Sequence, residues 1–288
     1  MRRLHSTRKR GLMIHVRPLS SRIGAEVHGV ELDGTLRPEI VAELRKALVE
    51  FKVLFFRDQT RMTPDKHLDF GRLFGTLEAH PVATADRSEL MTLRRAPDVA
   101  TARANFPYGE DYWHSDVSWR EHPSFGSILR AVEIPPVGGD TLWADMEAAF
   151  AGLSPQMQGA LRPLRAIHDF DRAFGPGLAP EDRAAMAKRF PPVEHPVVRT
   201  NPDTGAPLLY VNEIFTTRIV GMDLRESDSL LQFLYRQATK PEYQCRFSWR
   251  EGSVAFWDNR TTQHYACHDT GEGVREMHRV TISGDRPY

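Results

Sequence analysis

The stretch SFGSILRAVEIPPVGGDTLWAD, residues 124–145, decides the reading of the fold. Residues 124–134 are apolar and partly β-branched and read as a strand, PPVGG is a turn, and DTLWAD (140–145) reads as a second strand. The pattern recurs toward the C-terminus. HPVVRT, the turn NPDTG and PLLYV make a hairpin signature around 195–211, and RFSW, SVAFWD and REMHRVTIS read as further strands. Helices are fewer. In PEIVAELRKALVEF (38–51), Ile40, Val41, Leu44, Leu48 and Phe51 recur with helical spacing, and the compact run VLFF (53–56) follows as a buried strand. Thr63 before Pro64 starts a second helix that ends near Gly75. Asp145 and Ser154 are placed to cap two short helices, and RESDSLLQFLYRQAT (225–239) is another. Between Ala83 and Tyr112 lies a polar segment of little periodicity, which we read as a lid. Many short strands without βαβ alternation predict a mainly β domain, a double-stranded sandwich with helices packed outside.

Composition narrows the function classes. Lys plus Arg and Asp plus Glu balance at 38 each, which gives no bulk signal for nucleic acid or an anionic membrane and points to a small partner. No apolar run approaches the roughly 20 residues of a membrane span. The two cysteines, Cys245 and Cys267, form no CxxC or zinc-finger spacing, and such usage fits a reducing, cytoplasmic compartment. MRRLHSTRKRGL (1–12) is basic and lacks the apolar core of a signal peptide, so it reads as a disordered leader, with an organellar presequence as the alternative, ahead of a domain over 13–288. No GxGxxG, Walker loop or GxSxG elbow stands in strand-turn-helix context.

One short run carries the chemistry. Read as a strand, WHSDVSW (113–119) puts His114 and Asp116 on one face about 6.6 Å apart, close enough to share one divalent ion. From the pair alone, a polar strand end is the plainer reading. A second HxD, His67-Leu68-Asp69, sits in the helix starting at Thr63, where residues two apart diverge by about 200°, and it is unsuited to chelation. His264, in FWDNRTTQHYACHDT, is a candidate third ligand. Two histidines and one carboxylate on one face of an octahedral ion leave three positions open, the set associated with non-haem Fe(II) oxygenases, whereas a structural zinc site closes with four ligands. On REMHRVTI, Arg275, Met277, Arg279 and Thr281 share one face, with the guanidiniums about 13 Å apart, while His278 lies on an apolar-looking face as a core histidine. The two arginines would hold two anionic groups or pair with surface acids.

Taken together, WHSD, GGDTLWAD, HPVVRTNPDTG, VNEIFTTRIVGM, WDNRTTQH and MHRVTISGD resemble the TauD/TfdA family of Fe(II)- and 2-oxoglutarate-dependent dioxygenases, in order from about Met13 to the C-terminus. The resemblance implies a double-stranded β-helix (jelly-roll) core. It implies that His114, Asp116 and His264 bind Fe(II), and that Arg275 with Thr141 binds the far carboxylate of 2-oxoglutarate, with O2 as the other cosubstrate. It assigns Arg279, His80 and the Val117 amide to the anionic head of the substrate, and Phe174 and Phe215 to packing near it. Glu110 and Ala83 stand where taurine-acting members carry an asparagine and a tyrosine.

The implied reaction couples decarboxylation of 2-oxoglutarate to hydroxylation of a small anion-headed organic molecule: taurine, another alkyl sulfonate, an alkyl sulfate ester, or a carboxylate such as an aryloxyalkanoate. Homo-oligomers, dimeric or tetrameric, are common in the family. Two other classes use the same features. A zinc hydrolase would give Arg275 and Thr141 no task, and a non-catalytic jelly-roll binding protein would not need the full ligand set.

Overall fold

The computed structural model describes residues 14–33, 35–79, 88–95, 111–270 and 273–288; the basic leader lies outside them. First come two antiparallel strands, β1 (His15–Pro18) and β2 (Ala25–His28). Helix α1 (Pro38–Phe51) starts with proline in its first turn, buries Ile40, Leu44, Ala47 and Leu48, and stops at Lys52, whose left-handed backbone turns the chain into β3 (Val53–Phe56). In α2 (Pro64–Arg72) the Thr63 hydroxyl accepts from the Lys66 amide. Then follow β4 (Leu90–Arg95), β5 (Gly126–Glu133) and β6 (Thr141–Asp145). Asp145 caps α3 (Met146–Ala151) through the amides of Glu147 and Ala148, and Ser154 caps α4 (Pro155–Leu161). Beyond lie β7 (Arg165–His168), α5 (Phe170–Phe174), α6 (Pro180–Arg189), β8 (Val193–Pro196), β9 (Val198–Thr200), β10 (Pro207–Leu209) and β11 (Thr216–Ile219). The chain continues with α7 (Leu224–Ala238), β12 (Gln244–Phe247), β13 (Val254–Asp258), β14 (Thr262–Ala266) and β15 (Arg275–Ile282).

The main sheet runs β1-β2-β3-β13-β5-β15-β4, antiparallel except for β2 beside β3, and a three-stranded sheet β12-β6-β14 faces it. Alternation along the strands builds two cores. Val53, Phe55, Leu129, Ala131, Ala255, Trp257 and Met277 point inward against Trp143, Cys245 and Phe247 of the small sheet. Leu54, Phe56, Ile128, Val254, Phe256, Val280 and Ile282 point outward under α1 and α2. Each fully buried Val, Leu, Ile, Phe or Met among them contributes roughly 1.5–3 kcal/mol. Sheets β11-β7-β8 and β9-β10 stand with α3, α4 and α7 around a third core. No helix among the described residues is long and apolar enough to cross a membrane.

Three local expectations are corrected. WHSDVSW is not a strand: only His114 pairs, and the chain turns from Asp116, with the Arg120 amide donating to the Val117 carbonyl at 3.0 Å. Within the segment read as a lid, residues 90–95 form β4 on the edge of the main sheet beside β15, an edge position that needs little apolar patterning. His278 is half-buried and lies 3.5 Å from Glu276, on a face that becomes apolar only from Val280 onward.

The second HxD behaves as the helix requires. His67 is buried, its Nε2 donating to the Ile128 carbonyl at 3.2 Å, while Asp69 turns outward to Arg72. Burial pushes the His67 pKa down to about 3. Burial likewise takes His195 to about 4. The unfolded chain takes up these protons near pH 6.5 and the folded chain does not. The stabilisation is therefore complete above that value and is lost progressively as pH falls toward the folded pKa values. Urea unfolding at pH 5 is expected to show about 2 kcal/mol less stability per such histidine than at pH 8, and His67→Gln should remove one such share of the slope.

Candidate functional site

His114 and His264, distant in sequence, face each other across one antiparallel bridge: the His114 amide donates to the His264 carbonyl at 3.1 Å and the His264 amide donates to the His114 carbonyl at 2.7 Å. Their ring centroids are 4.1 Å apart. Past the end of β13, strand β14 holds His264 opposite Trp143 of β6. The turn after His114 then brings Asp116 under both rings. Its Oδ1 lies 4.0 Å from His114 Nε2 and 4.0 Å from His264 Nε2. One donor atom from each of the three falls within 4.8 Å of the others, and all three side chains are buried.

The surroundings choose the donor atoms. His114 Nδ1 lies 2.7 Å from the Tyr112 carbonyl, which can only accept, so the proton sits on Nδ1 and the Nε2 lone pair faces Asp116. Asp116 Oδ2 accepts from Ser127 Oγ at 2.7 Å and Oδ1 from Arg279 Nη1 at 2.9 Å. Burial alone would raise this carboxyl; Arg279 and the two imidazoles outweigh it and hold it well below the usual carboxylate range. Burial and the neighbouring His114 keep His264 deprotonated, with its Nδ1 buried and unpartnered among the described residues. Two imidazoles and one carboxylate are the donor set a divalent ion takes. Ligand bonds of about 2.1 Å would place the donors about 3.0–3.6 Å apart, so side-chain movements that close each pair by roughly an ångström bring them in. The residues fit the ion.

Behind this set stands a rigid support that sequence reading missed. The Asn259 amide donates to Ser127 Oγ at 2.9 Å, its side-chain oxygen accepts from Trp257 Nε1 at 2.7 Å, and Ser115 Oγ donates to its main-chain carbonyl at 2.6 Å. Asn259 stood inside the quoted WDNRTTQH run, but no spacing rule marks an amide three-dimensionally opposite an HxD.

Strand β15 carries both arginines on its inward face, as the alternation predicts. Arg275 is buried and its Nε donates to the Gly139 carbonyl at 3.2 Å. Gly139 has φ +73°, and a Cβ there would stand 3.1 Å from Arg275 Cδ, so glycine is required for the close approach. Thr141 lies on the next strand of the small sheet, its hydroxyl accepting from Trp249 Nε1 at 2.9 Å, which leaves the hydroxyl hydrogen to be given to an incoming acceptor. Trp249 is a second contributor not foreseen. Arg279 reaches Asp116 with one nitrogen, has Met91 Sδ 3.3 Å from Nη2, and keeps a buried Nε–H without a partner among the described residues.

Val117, next to Asp116, has φ +47°. Phe215 stands edge-on to His114 at 6.5 Å, and Phe174 lies 6.0 Å beyond it. With Trp119, Phe170 and Phe190 they form an aromatic wall beside the histidines. His80 and Glu110 lie outside the described residues.

The profile of the family described as "Taurine catabolism dioxygenase TauD, TfdA family" matches residues 15–281. An alkylsulfatase of Acinetobacter baylyi is 36% identical over 280 residues, covering 94% of this chain and 86% of its own. An alpha-ketoglutarate-dependent sulfate ester dioxygenase of Pseudomonas putida is 36% identical, covering 98% and 93%. More distant, at 29% over 93% of this chain and 97% of its own, is an alpha-ketoglutarate-dependent 2,4-dichlorophenoxyacetate dioxygenase of Cupriavidus pinatubonensis. Among solved structures, a taurine dioxygenase from Burkholderia xenovorans superimposes with a TM-score of 0.80 at 37% identity, covering 95% of this chain and 92% of that one.

Proposed function

The chain belongs to the TauD/TfdA family of Fe(II)- and 2-oxoglutarate-dependent dioxygenases, and we propose that it hydroxylates an alkyl sulfate ester or alkyl sulfonate at the carbon next to the anionic head. The observation that carries this reading is the convergence of His114, Asp116 and His264 on one point, with Arg275 and Arg279 on the adjacent inward face of β15. The main sheet and the β12-β6-β14 sheet are then the two halves of a double-stranded β-helix, with the site between them.

Within this proposal His114, Asp116 and His264 would hold Fe(II), which when bound would supply the coupling of O2 to the decarboxylation of 2-oxoglutarate. Arg275 pairs with the far carboxylate of 2-oxoglutarate while Thr141, oriented by Trp249, donates to it. Arg279, the Val117 amide and His80 take the sulfate or sulfonate, and Phe215 and Phe174 line the path of its carbon chain; Glu110 belongs to the substrate set by family resemblance. The work of these residues is orientation: an anchored head fixes which carbon faces the reacting oxygen. Hydroxylation there leaves a carbon bearing both OH and the sulfur-linked group. That product collapses to an aldehyde and sulfate or sulfite. The sulfate ester and sulfonate classes are preferred over aryloxyalkanoates because the relatives of higher identity act on sulfate esters. A cytoplasmic, homodimeric or homotetrameric enzyme completes the proposal.

The test is succinate release in air from Fe(II), 2-oxoglutarate and one of four acids: hexyl sulfate, hexanesulfonate, taurine or 2,4-dichlorophenoxyacetate. Stimulation by hexyl sulfate or hexanesulfonate, with sulfate or sulfite formed in step, is expected. Stimulation by the aryloxyacetate alone would overturn the substrate reading.

A further inference from the structure

We infer that Asn212, acting through Ser118 and His168, is a positioning residue that holds the two walls of the substrate pocket in register; this rests on the assignment of the Val117 amide and Phe215 to the substrate. Asn212 belongs to VNEIFTTRIVGM, a motif to which neither the metal site nor the cosubstrate site gives a task. Val117 is β-branched and sits in the left-handed region at φ +47°, a conformation such a residue does not adopt unless its neighbours impose it.

The imposing neighbours can be named. On one side Asp116 is tied to Ser127 and Arg279. On the other, Ser118 is fully buried, and its Oγ accepts from Asn212 Nδ2 at 2.8 Å and lies 3.0 Å from His168 Nδ1. Burial keeps His168 neutral, and its Nε2 lies 3.3 Å from Thr216 Oγ1. With the His168 proton on Nε2, the Ser118 hydroxyl donates to Nδ1 after accepting from Asn212, so each bond in the chain has one direction. His195 Nε2 closes the turn from below by donating to the Arg120 carbonyl at 2.9 Å. Asn212 uses its other end as well: its Oδ1 accepts from the Phe215 amide at 2.9 Å, and its own amide donates to Thr216 Oγ1 at 2.9 Å. One buried carboxamide therefore ties the strained amide at Val117 to the ring at Phe215, which flanks His114. Rotation or loss of that carboxamide releases both walls together while leaving Arg275, Thr141 and the three metal-facing side chains with the partners described above.

The experiment combines hydrogen exchange with ligand binding in Asn212→Ala. Exchange is expected to quicken over 112–120 and 212–217 while β5, β13 and β15 keep their protection. In the Mn(II)- and 2-oxoglutarate-loaded protein without oxygen, hexyl sulfate affinity should fall about tenfold, the scale of one buried hydrogen bond, with 2-oxoglutarate affinity unchanged. Ser118→Ala should behave alike and is read in its place where Asn212→Ala does not fold. In a Val117→Gly background the cost of Ser118→Ala should shrink to below about threefold, because glycine adopts positive φ without being held. Exchange that quickens everywhere or nowhere, equal loss of 2-oxoglutarate and hexyl sulfate, or additive costs in the Val117→Gly pair would overturn the inference. Should the wild type bind no hexyl sulfate while exchange responds as stated, the substrate reading falls and the positioning role stands.

Discussion

Asp116→Ala is expected to reduce succinate release to background and to weaken metal binding by more than the roughly 10–100-fold that outer-shell substitutions cost, since it removes a ligand rather than its support. The loss has two physical parts. The negative charge that draws a divalent ion between the His114 and His264 Nε2 atoms disappears, and the Arg279 guanidinium, whose side chain is 13% exposed, loses its carboxylate. Breaking a buried pair in this way costs on the order of 3 kcal/mol of stability. Asp116→Asn separates the two parts. An amide of the same shape has an oxygen for the Ser127 hydroxyl or for Arg279, so the fold should suffer less while metal binding still falls. Mn(II) titration and thermal unfolding of both variants provide the check. Undiminished metal affinity in the folded Asp116→Asn protein would remove Asp116 from the ligand set.

What could be read from the sequence was whatever a local rule governs. The spacing of Ile40, Leu44 and Leu48, the caps at Thr63, Asp145 and Ser154, and the alternation that puts Arg275 and Arg279 on one face all depend on neighbours within one turn or one strand. The cluster of His114, Asp116 and His264 was legible for a different reason: the short motifs that carry these residues stand, with four others, in the order of a known family. The turn at Asp116 was not legible, because WHSDVSW has the alternation of a strand, and only tertiary bonds from Ser127, Asn259 and Asn212 bend it. Strands β1, β2, β7 and β11 are four residues each and too short to show a period. Trp249 escaped notice because a tryptophan before a turn looks like ordinary core until its indole N–H is found on the Thr141 hydroxyl.

Arg279→Ala is expected to raise the KM for an anionic substrate far more than it changes the KM for 2-oxoglutarate. Truncating one member of a largely desolvated charge pair costs about 2–5 kcal/mol, so a loss of about 30-fold or more in substrate affinity is anticipated. The geometry explains why the effect divides this way. Arg275 is committed at Gly139 beside Thr141, whereas Arg279, four residues along the same face, reaches Asp116 with Nη1 and still has an unpartnered, buried Nε–H. A guanidinium in contact with a metal-facing carboxylate and holding a spare donor can hold the anionic head beside the reacting centre. Lysine cannot present two donors in a fixed plane, so Arg279→Lys should recover part of the affinity while placing the carbon chain less well, seen as succinate formed without matching product. The readings are substrate KM, 2-oxoglutarate KM and the ratio of succinate to aldehyde. If Arg279→Ala raised both KM values equally, Arg279 would be a structural partner of Asp116 alone, and the anion would have to be held elsewhere.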